Sequence, residues 1–155
     1  MDIAIERAPL PTAEAHDLLG ELDHELARFY AADQRHGLSV EHLFRPGNRF
    51  FIARSDGAAV GCGGVSLLGD HAEVRRMYVR PDARRQGVAQ ALLARIEREA
   101  RGAGLTLLRL ETGTRQGAAI GLYERAGFAR CAPFGAYAGL APHAIETSLF
   151  FEKRL

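Results

Sequence analysis

The sequence lacks the features that mark several classes of protein. Its two cysteines, Cys62 and Cys131, lie far apart and form no CxxC pair, so we expect two reduced thiols and no disulfide framework. Lys153 is the only lysine and no glycine precedes it, which excludes a Walker A nucleotide loop. Twenty basic and nineteen acidic residues give a net charge of +1, which argues against a protein that binds nucleic acids or acidic membranes.

Long apolar segments and metal-binding patterns are also missing. The longest weakly polar run, residues 58–69, includes four glycines and is too short to cross a bilayer. The first seven residues have neither the basic start nor the apolar stretch of a signal peptide. The six histidines occur at spacings that form no metal site. We therefore expect a cytoplasmic protein without a metal, which contacts neither a membrane nor a nucleic acid.

What is present fits one folded domain. With 47% apolar and 25% charged residues, a chain of 155 residues can fill a core without disulfides or a structural metal. No segment repeats and no linker divides the chain. We therefore expect residues 1–155 to form a single domain.

The spacing of apolar residues predicts the order β-α-α-β-β-β-α-β-α-β-β. The predicted strands cover residues 2–8, 49–54, 59–68, 71–80, 105–112, 128–134 and 146–154, and the predicted helices cover 12–32, 39–44, 87–102 and 117–126. Residues 135–145 should form a loop. Because a helix connects strands 71–80 and 105–112, these two should be parallel. The expected fold is α/β (α+β), with a mixed, mostly antiparallel twisted sheet of about seven strands and about four flanking helices.

The segment before the predicted helix 87–102 carries a candidate phosphate loop. Residues 84–89 read RRQGVA and fit the pattern R-x-x-G-x-[GA]. A second match, residues 54–59, lies inside a predicted hairpin, whereas the first precedes a helix whose N–H groups can bind an anion. Gly87 would let the backbone approach a pyrophosphate closely. Five arginines should concentrate positive charge there, namely Arg75, Arg76, Arg80, Arg84 and Arg85. The alternative is a solvated, arginine-rich turn.

This loop and two further segments resemble the GNAT superfamily of N-acetyltransferases, in its small, single-domain bacterial form. In that family the loop holds the pyrophosphate of acyl-CoA. Residues 73–79, EVRRMYV, look like the family's fourth strand, which splays from the fifth and offers backbone hydrogen bonds to the pantetheine arm. Residues 119–128, AIGLYERAGF, look like its A-x-x-L-Y-x-x-x-G-F segment, which places Tyr123 near the cofactor sulfur. The similarity extends from about residue 2 to residue 155.

The resemblance implies an acetyl-CoA-dependent enzyme that moves an acetyl group directly to a primary amine of a small molecule, an amino acid or a peptide. It assigns the acetyl-CoA contacts to Met77, Tyr78, Val79, Arg84, Arg85, Gln86, Gly87, Val88, Ala89, Gln90, Gln116 and Ala119. Gln116 departs from the family's usual Asn, and a Gln amide makes the same hydrogen bonds at a longer reach. Because Cys62 and Cys131 lie outside the matching segments, a covalent cysteine intermediate is not expected.

Two residues are candidates for proton transfer. Tyr123, with an ordinary pKa of about 10, would still be protonated at neutral pH and could protonate the departing thiolate. Its alternative role is packing on the sheet. Glu73 matches the base carboxylate of the GNAT branch that includes histone acetyltransferases, and its alternative role is an ion pair with a neighbouring arginine. Glu111 is the second candidate base. Backbone N–H groups of residues 77–79 could bind the oxyanion that develops on the carbonyl.

The acceptor and the oligomeric state are left open, a homodimer included. Aromatic residues could form a wall of the acceptor pocket or simply fill the core, and they are Phe29, Tyr30, Phe44, Phe134 and Tyr137. The alternative function is a non-catalytic acyl-CoA-binding or sensing domain of the same fold. Such a domain would keep the phosphate loop and lack a working acid or base.

Overall fold

The structure, a computed structural model, describes residues 2–155 and is built around a sheet of seven strands. In chain order they are β1 (Ile3–Arg7), β2 (Asn48–Ser55), β3 (Ala58–Leu67), β4 (Ala72–Val79), β5 (Leu107–Gly113), β6 (Ala129–Arg130) and β7 (Ser148–Arg154). Across the sheet the order is β1-β2-β3-β4-β5-β7-β6. β4 and β5 are parallel and the other neighbours antiparallel, so the predicted mixed, mostly antiparallel sheet is confirmed.

Residues 2–155 form five α-helices, one more than the sequence predicts. They are α1 (Ala13–Ala27), α2 (Val40–Leu43), α3 (Val88–Gly102), α4 (Gly117–Arg125) and α5 (Pro142–Ile145), with short 3-10 helices at Ala32–Gln34, Pro81–Ala83 and Gly135–Gly139. The predicted first helix is too long, because α1 ends at Ala27 instead of near Ala32. The apolar spacing continues past its end because Tyr30 is buried outside the helix.

The segment between α4 and β7 also differs from its prediction. β6 spans only two residues instead of 128–134, because Pro133 has no N–H with which to continue the pairing. The predicted loop 135–145 contains a 3-10 helix and α5. This segment folds around three buried aromatic residues, which are Phe134, Tyr137 and Phe150.

The sheet separates two apolar cores. Along β2, Phe51 packs on the side of α3 and α4, whereas its neighbours Phe50 and Ile52 pack on the side of α1 and α2. This alternation follows from the pleat of a strand whose two faces are both covered. The sites described below lie where β4 and β5 meet, between these two layers of helices.

Candidate active site

The strands β4 and β5 separate after a short paired stretch. They pair only at Ala72 with Leu108 and at Glu73 with Arg109. Beyond Glu73 the two strands diverge toward their carboxyl ends, so residues 74–79 have no strand partner on the β5 side. The result is an opening in the sheet, flanked by polar backbone that can still form hydrogen bonds.

A bulge in β4 sets the direction of the side chains beside this opening. Tyr78 pairs with Cys62 and Arg75 pairs with Gly64, so Arg76 and Met77 together lie opposite one residue of β3. Arg76 takes a left-handed conformation, with φ of 54°. Consequently Arg75 and Arg76 both lie on the α1 side of the sheet, where Arg76 donates to Asp23 of α1 at 2.6 Å.

The loop that leads into α3 presents a run of unpaired N–H groups. Arg85 and Gly87 both have positive φ, of 63° and 85°. No acceptor within residues 2–155 is found for the N–H groups of residues 85–90, and Ala91 is the first to bond, to the Gly87 carbonyl at 3.0 Å. No side chain caps the helix. These six donors and the positive end of the helix dipole form a backbone surface that can bind an anion.

Most of the arginines near this loop are already paired. Four ion pairs are present: Arg75–Glu73, Arg76–Asp23, Arg80–Glu21 and Arg84–Glu25. Three of the four acids lie on α1, so these arginines attach α1 to β4 and to the loop after it. Arg84 also donates to the Val79 carbonyl at 2.8 Å. Acidic side chains therefore offset the charge of these four, and among residues 2–155 only Arg85 of the five lacks an ion pair.

Tyr123 is both a packing residue and a free hydrogen-bond donor. It lies on α4, is 5% exposed, and packs edge-on against Phe128 with ring centroids 5.7 Å apart. Its hydroxyl has no hydrogen-bond partner within residues 2–155. Burial, with a smaller effect from the charge of Glu111, raises the pKa of Tyr123, so the phenol stays protonated at neutral pH.

Glu73 is buried at the point where the strands separate, with 3% of its surface exposed. Its Oε2 accepts hydrogen bonds from Arg75 Nη1 and from the Tyr137 hydroxyl, each at 2.7 Å. Its Oε1 has no partner within residues 2–155. Burial raises the pKa of Glu73 although the charge of Arg75 opposes this. The ion pair foreseen as the alternative role is therefore present, and one carboxylate oxygen remains free.

Glu111 is a second carboxylate near the opening. It accepts a hydrogen bond from the Ser148 hydroxyl at 2.7 Å and has no ion pair within residues 2–155. Burial raises the pKa of Glu111, and the negative charge of Glu73 contributes to the increase. Because the Glu111 charge also acts on Tyr123, these three titratable groups share one electrostatic environment.

Comparison with known proteins assigns the family. Residues 15–128, which include the unpaired N–H groups, Glu73 and Tyr123, match the model of the Acetyltransferase (GNAT) family. The chain belongs to the GNAT family. This GNAT protein is 46% identical over 140 residues to the IAA acetyltransferase of Azospirillum brasilense, a match that covers 89% of this chain and 88% of that one.

Solved structures agree with the assignment. A protein from Klebsiella pneumoniae, described as a candidate acyl-CoA N-acyltransferase, is similar with a TM-score of 0.77 and 33% identity, over 99% of this chain and 97% of that one. The PaiA N-acetyltransferase from Thermoplasma acidophilum, solved with coenzyme A, has a TM-score of 0.72 and 15% identity, and each chain is fully covered. The second likeness concerns the fold alone. The expected GNAT-like fold is thus confirmed.

Tyr30 connects the end of α1 to the start of α4 in this GNAT protein. Its hydroxyl accepts the N–H of Arg115 at 3.0 Å and donates to Gln116 Oε1 at 3.2 Å. A Cβ atom on Gly113 would lie 2.1 Å from that hydroxyl, so the glycine leaves room for the ring. The sequence indicated Tyr30 only as an aromatic wall candidate, because no local pattern reveals its contact with Gln116.

The other predicted residues occupy the elements expected of them. Met77, Tyr78 and Val79 end β4, and the Tyr78 hydroxyl donates to Glu21 of α1 at 3.2 Å. Val88, Ala89 and Gln90 form the first turn of α3, and Ala119 lies in α4. Gln86 precedes the cap and has an exposed side chain that bonds only weakly, to the Asp82 carbonyl at 3.5 Å.

Neither cysteine of the GNAT protein is suited to nucleophilic attack. Burial raises the pKa of the Cys62 thiol to about 12, and burial also raises the pKa of Cys131. Within residues 2–155, no group of three or more His, Cys, Asp and Glu side chains is placed to hold a metal ion. The helices formed by these residues include none that is long and apolar enough to span a membrane.

Proposed function

We propose that this GNAT protein is an acetyl-CoA-dependent N-acetyltransferase, which moves an acetyl group directly to the primary amine of a small molecule, an amino acid or a peptide. The unpaired N–H groups of residues 85–90, beside the opening between β4 and β5, carry the proposal. A pyrophosphate accepts several N–H donors at once, and a helix N-terminus favours its charge. The 46% identity to an IAA acetyltransferase supports a small-molecule acceptor.

The residues present fit coenzyme A. A Cβ atom on Gly87 would meet nothing closer than Gln90 Oε1 at 3.8 Å, so the space in front of the loop is open. Residues 77–79 lie on the unpaired stretch of β4, where backbone groups would bond the pantetheine arm. The Gln116 amide, held by Tyr30, would contact the arm from the side of α4.

The chemistry requires a neutral amine, donors for the carbonyl oxygen and a proton for the departing thiolate. In this proposal Glu73 removes the amine proton through its free Oε1, and backbone N–H groups of residues 77–79 donate to the carbonyl oxygen. Tyr123 gives its hydroxyl proton to the thiolate sulfur. The raised pKa of Tyr123 keeps the phenol protonated until the thiolate forms but also makes it a weaker acid, and the raised pKa of Glu73 makes it a stronger base.

A thiol-release assay tests the proposal. Purified protein is mixed with acetyl-CoA and a panel of amines, amino acids and peptides, and mass spectrometry identifies the acetylated product. We expect turnover with at least one amine, and an equimolar amount of free CoA. Tight CoA binding with no turnover on any amine would contradict the catalytic proposal.

A non-catalytic acyl-CoA sensor remains the alternative function. The Glu73–Arg75 ion pair and the core packing of Tyr123 favour it, since both residues then have structural roles. Turnover with any amine excludes this alternative.

A further inference from the structure

Tyr137 is fixed in place by an aromatic cluster. It lies in the 3-10 helix Gly135–Gly139, 64 residues after Glu73 in the chain, and is 8% exposed. Its ring centroid lies 5.3 Å from that of Phe134, 5.2 Å from Phe150 and 5.7 Å from the ring of His36. Edge-to-face contacts on three sides leave this ring little freedom to move. The hydroxyl is therefore aimed in one direction.

That direction is the Glu73 carboxylate. The Tyr137 hydroxyl donates to Glu73 Oε2 at 2.7 Å, and Arg75 Nη1 donates to the same oxygen at 2.7 Å. Arg75 Nη1 also lies 3.1 Å from the Tyr137 oxygen, so the three groups form a closed triangle. Arg75 is itself anchored, because its Nε donates to the Ser66 hydroxyl at 3.0 Å.

We propose that Tyr137 is a positioning residue that, with Arg75, holds Oε2 of Glu73 and thereby presents Oε1 to the acceptor amine. The inference rests on the proposed function, in which Glu73 is the base. Two donors on one oxygen fix the plane of the carboxylate and leave the other oxygen as the site of proton transfer. Preorganisation of this kind places a base within hydrogen-bonding distance before the acceptor binds.

The hydroxyl of Tyr137 is not needed for packing. Phe134 and Phe150 fill the same cluster with plain phenyl rings, so a phenylalanine at position 137 would complete it equally well. A buried hydroxyl requires a hydrogen-bond partner, and Glu73 supplies it. Burial, followed by the charge of Glu73, raises the pKa of Tyr137 well above its usual range, so it remains a donor at every working pH.

Several charged or titratable groups face Glu73 or its partners and set the sign of the expected effect. Arg75 lies on β4 and His71 directly before it, Glu111 and the cross-strand Arg109 lie on β5, and Tyr137 and His36 lie beyond the sheet. Burial raises the pKa of Glu73, whereas Arg75 and the Tyr137 hydroxyl lower it. Removing the hydroxyl therefore raises the pKa of Glu73 further, and a base must lose its proton before it can act.

The test is the pH dependence of kcat/KM in Tyr137→Phe. We expect the acidic limb of the profile to move to higher pH by about half to one unit, the change that follows from one lost hydrogen bond to a carboxylate. The KM for acetyl-CoA should stay unchanged. If Tyr137 only packs, the acidic limb stays in place in Tyr137→Phe, and that result would overturn the inference.

Phe134→Leu is the matched control, because it loosens the same cluster and keeps the hydroxyl. It should lower the melting temperature without moving the acidic limb of the pH profile. A shift of that limb equal to the one in Tyr137→Phe would overturn the inference. Tyr137→Phe should add nothing in a Glu73→Gln background, since Tyr137 acts through Glu73. If Tyr137→Phe changed kcat/KM as much in the Glu73→Gln background as in the parent protein, the inference would be overturned.

A titration independent of turnover separates the inference from the proposed function. The Glu73 carboxyl carbon, assigned by its loss in Glu73→Gln, is followed by NMR against pH in the parent protein and in Tyr137→Phe. A higher pKa in the variant supports the inference, and an unchanged pKa overturns it. Full turnover by Glu73→Gln would instead overturn the assignment of Glu73 as the base, and the positioning role with it.

Discussion

The two ends of the β4–β5 opening are built in different ways. At one end, residues 85–90 present six unpaired N–H groups from a continuous piece of backbone. At the other end, Glu73, Arg75 and Tyr137 meet as side chains, and Tyr137 comes from a segment 64 residues away. The backbone end is formed by one continuous segment, so the local sequence determines it. The side-chain end depends on the fold, which brings distant segments together.

Tyr123→Phe should have the largest effect on turnover and little effect on acetyl-CoA binding. In the proposed mechanism the phenol acts on the thiolate in the transition state, so we expect kcat to fall about 100-fold with little change in acetyl-CoA affinity. Steady-state kinetics and calorimetry give the two quantities. The ring remains, so the melting temperature should match the parent. Turnover at the parent rate would reduce Tyr123 to a packing residue.

Gly113→Ala should disturb the contact that joins the two layers of helices. The new Cβ would lie 2.1 Å from the Tyr30 hydroxyl, so the ring must move. We expect the free energy of unfolding to drop by about 1–3 kcal/mol, as for other overpacked sites. Chemical denaturation measures it. Gly117→Ala is the control, because its Cβ would meet nothing within 4 Å and should leave stability unchanged or slightly higher. Equal stability of the two variants would contradict the role of Gly113.

Arg84→Ala should reduce CoA affinity only slightly, the smallest change expected of these variants. Its guanidinium already bonds Glu25 and the Val79 carbonyl, so a phosphate contact would have to replace those bonds. Exposed ion pairs exchange at little net cost, and we expect CoA affinity to fall only about threefold. Calorimetric titration of CoA measures the affinity of the variant and of the parent. A loss of 100-fold would show that arginine side chains, and not the backbone, carry the binding.

The sequence predicts the elements around the backbone end of the opening, whereas it misses most contacts at the side-chain end. The order of elements, the parallel pair β4–β5 and the glycine loop before α3 all follow from local periodicity and from Gly87. The ion pairs of Arg76, Arg80 and Arg84 could not be predicted, because their acidic partners lie on α1, more than 50 residues earlier in the chain.

For Glu73, the sequence indicated one of its two hydrogen-bond partners and missed the other. Its place on a strand, with Arg75 two residues later, already suggested an ion pair. The hydroxyl of Tyr137 could not be foreseen, because residues 135–145 read as a loop and instead fold into a 3-10 helix and α5. Contacts of this kind follow from tertiary packing, which no local pattern encodes.

Calorimetric titration of CoA into Gly87→Glu and Gly104→Glu tests the central claim most directly. Both glycines have positive φ, of 85° and 79°, and flank opposite ends of α3, and an added Cβ at either would meet no atom closer than 3.8 Å. The two variants therefore share backbone strain and added negative charge. Glutamate at position 87 would place a carboxylate among the N–H groups, and we predict at least a 100-fold loss of CoA affinity. Gly104→Glu should bind CoA as the parent does. Equal affinities in the two folded variants would contradict the claim that the loop before α3 binds the cofactor.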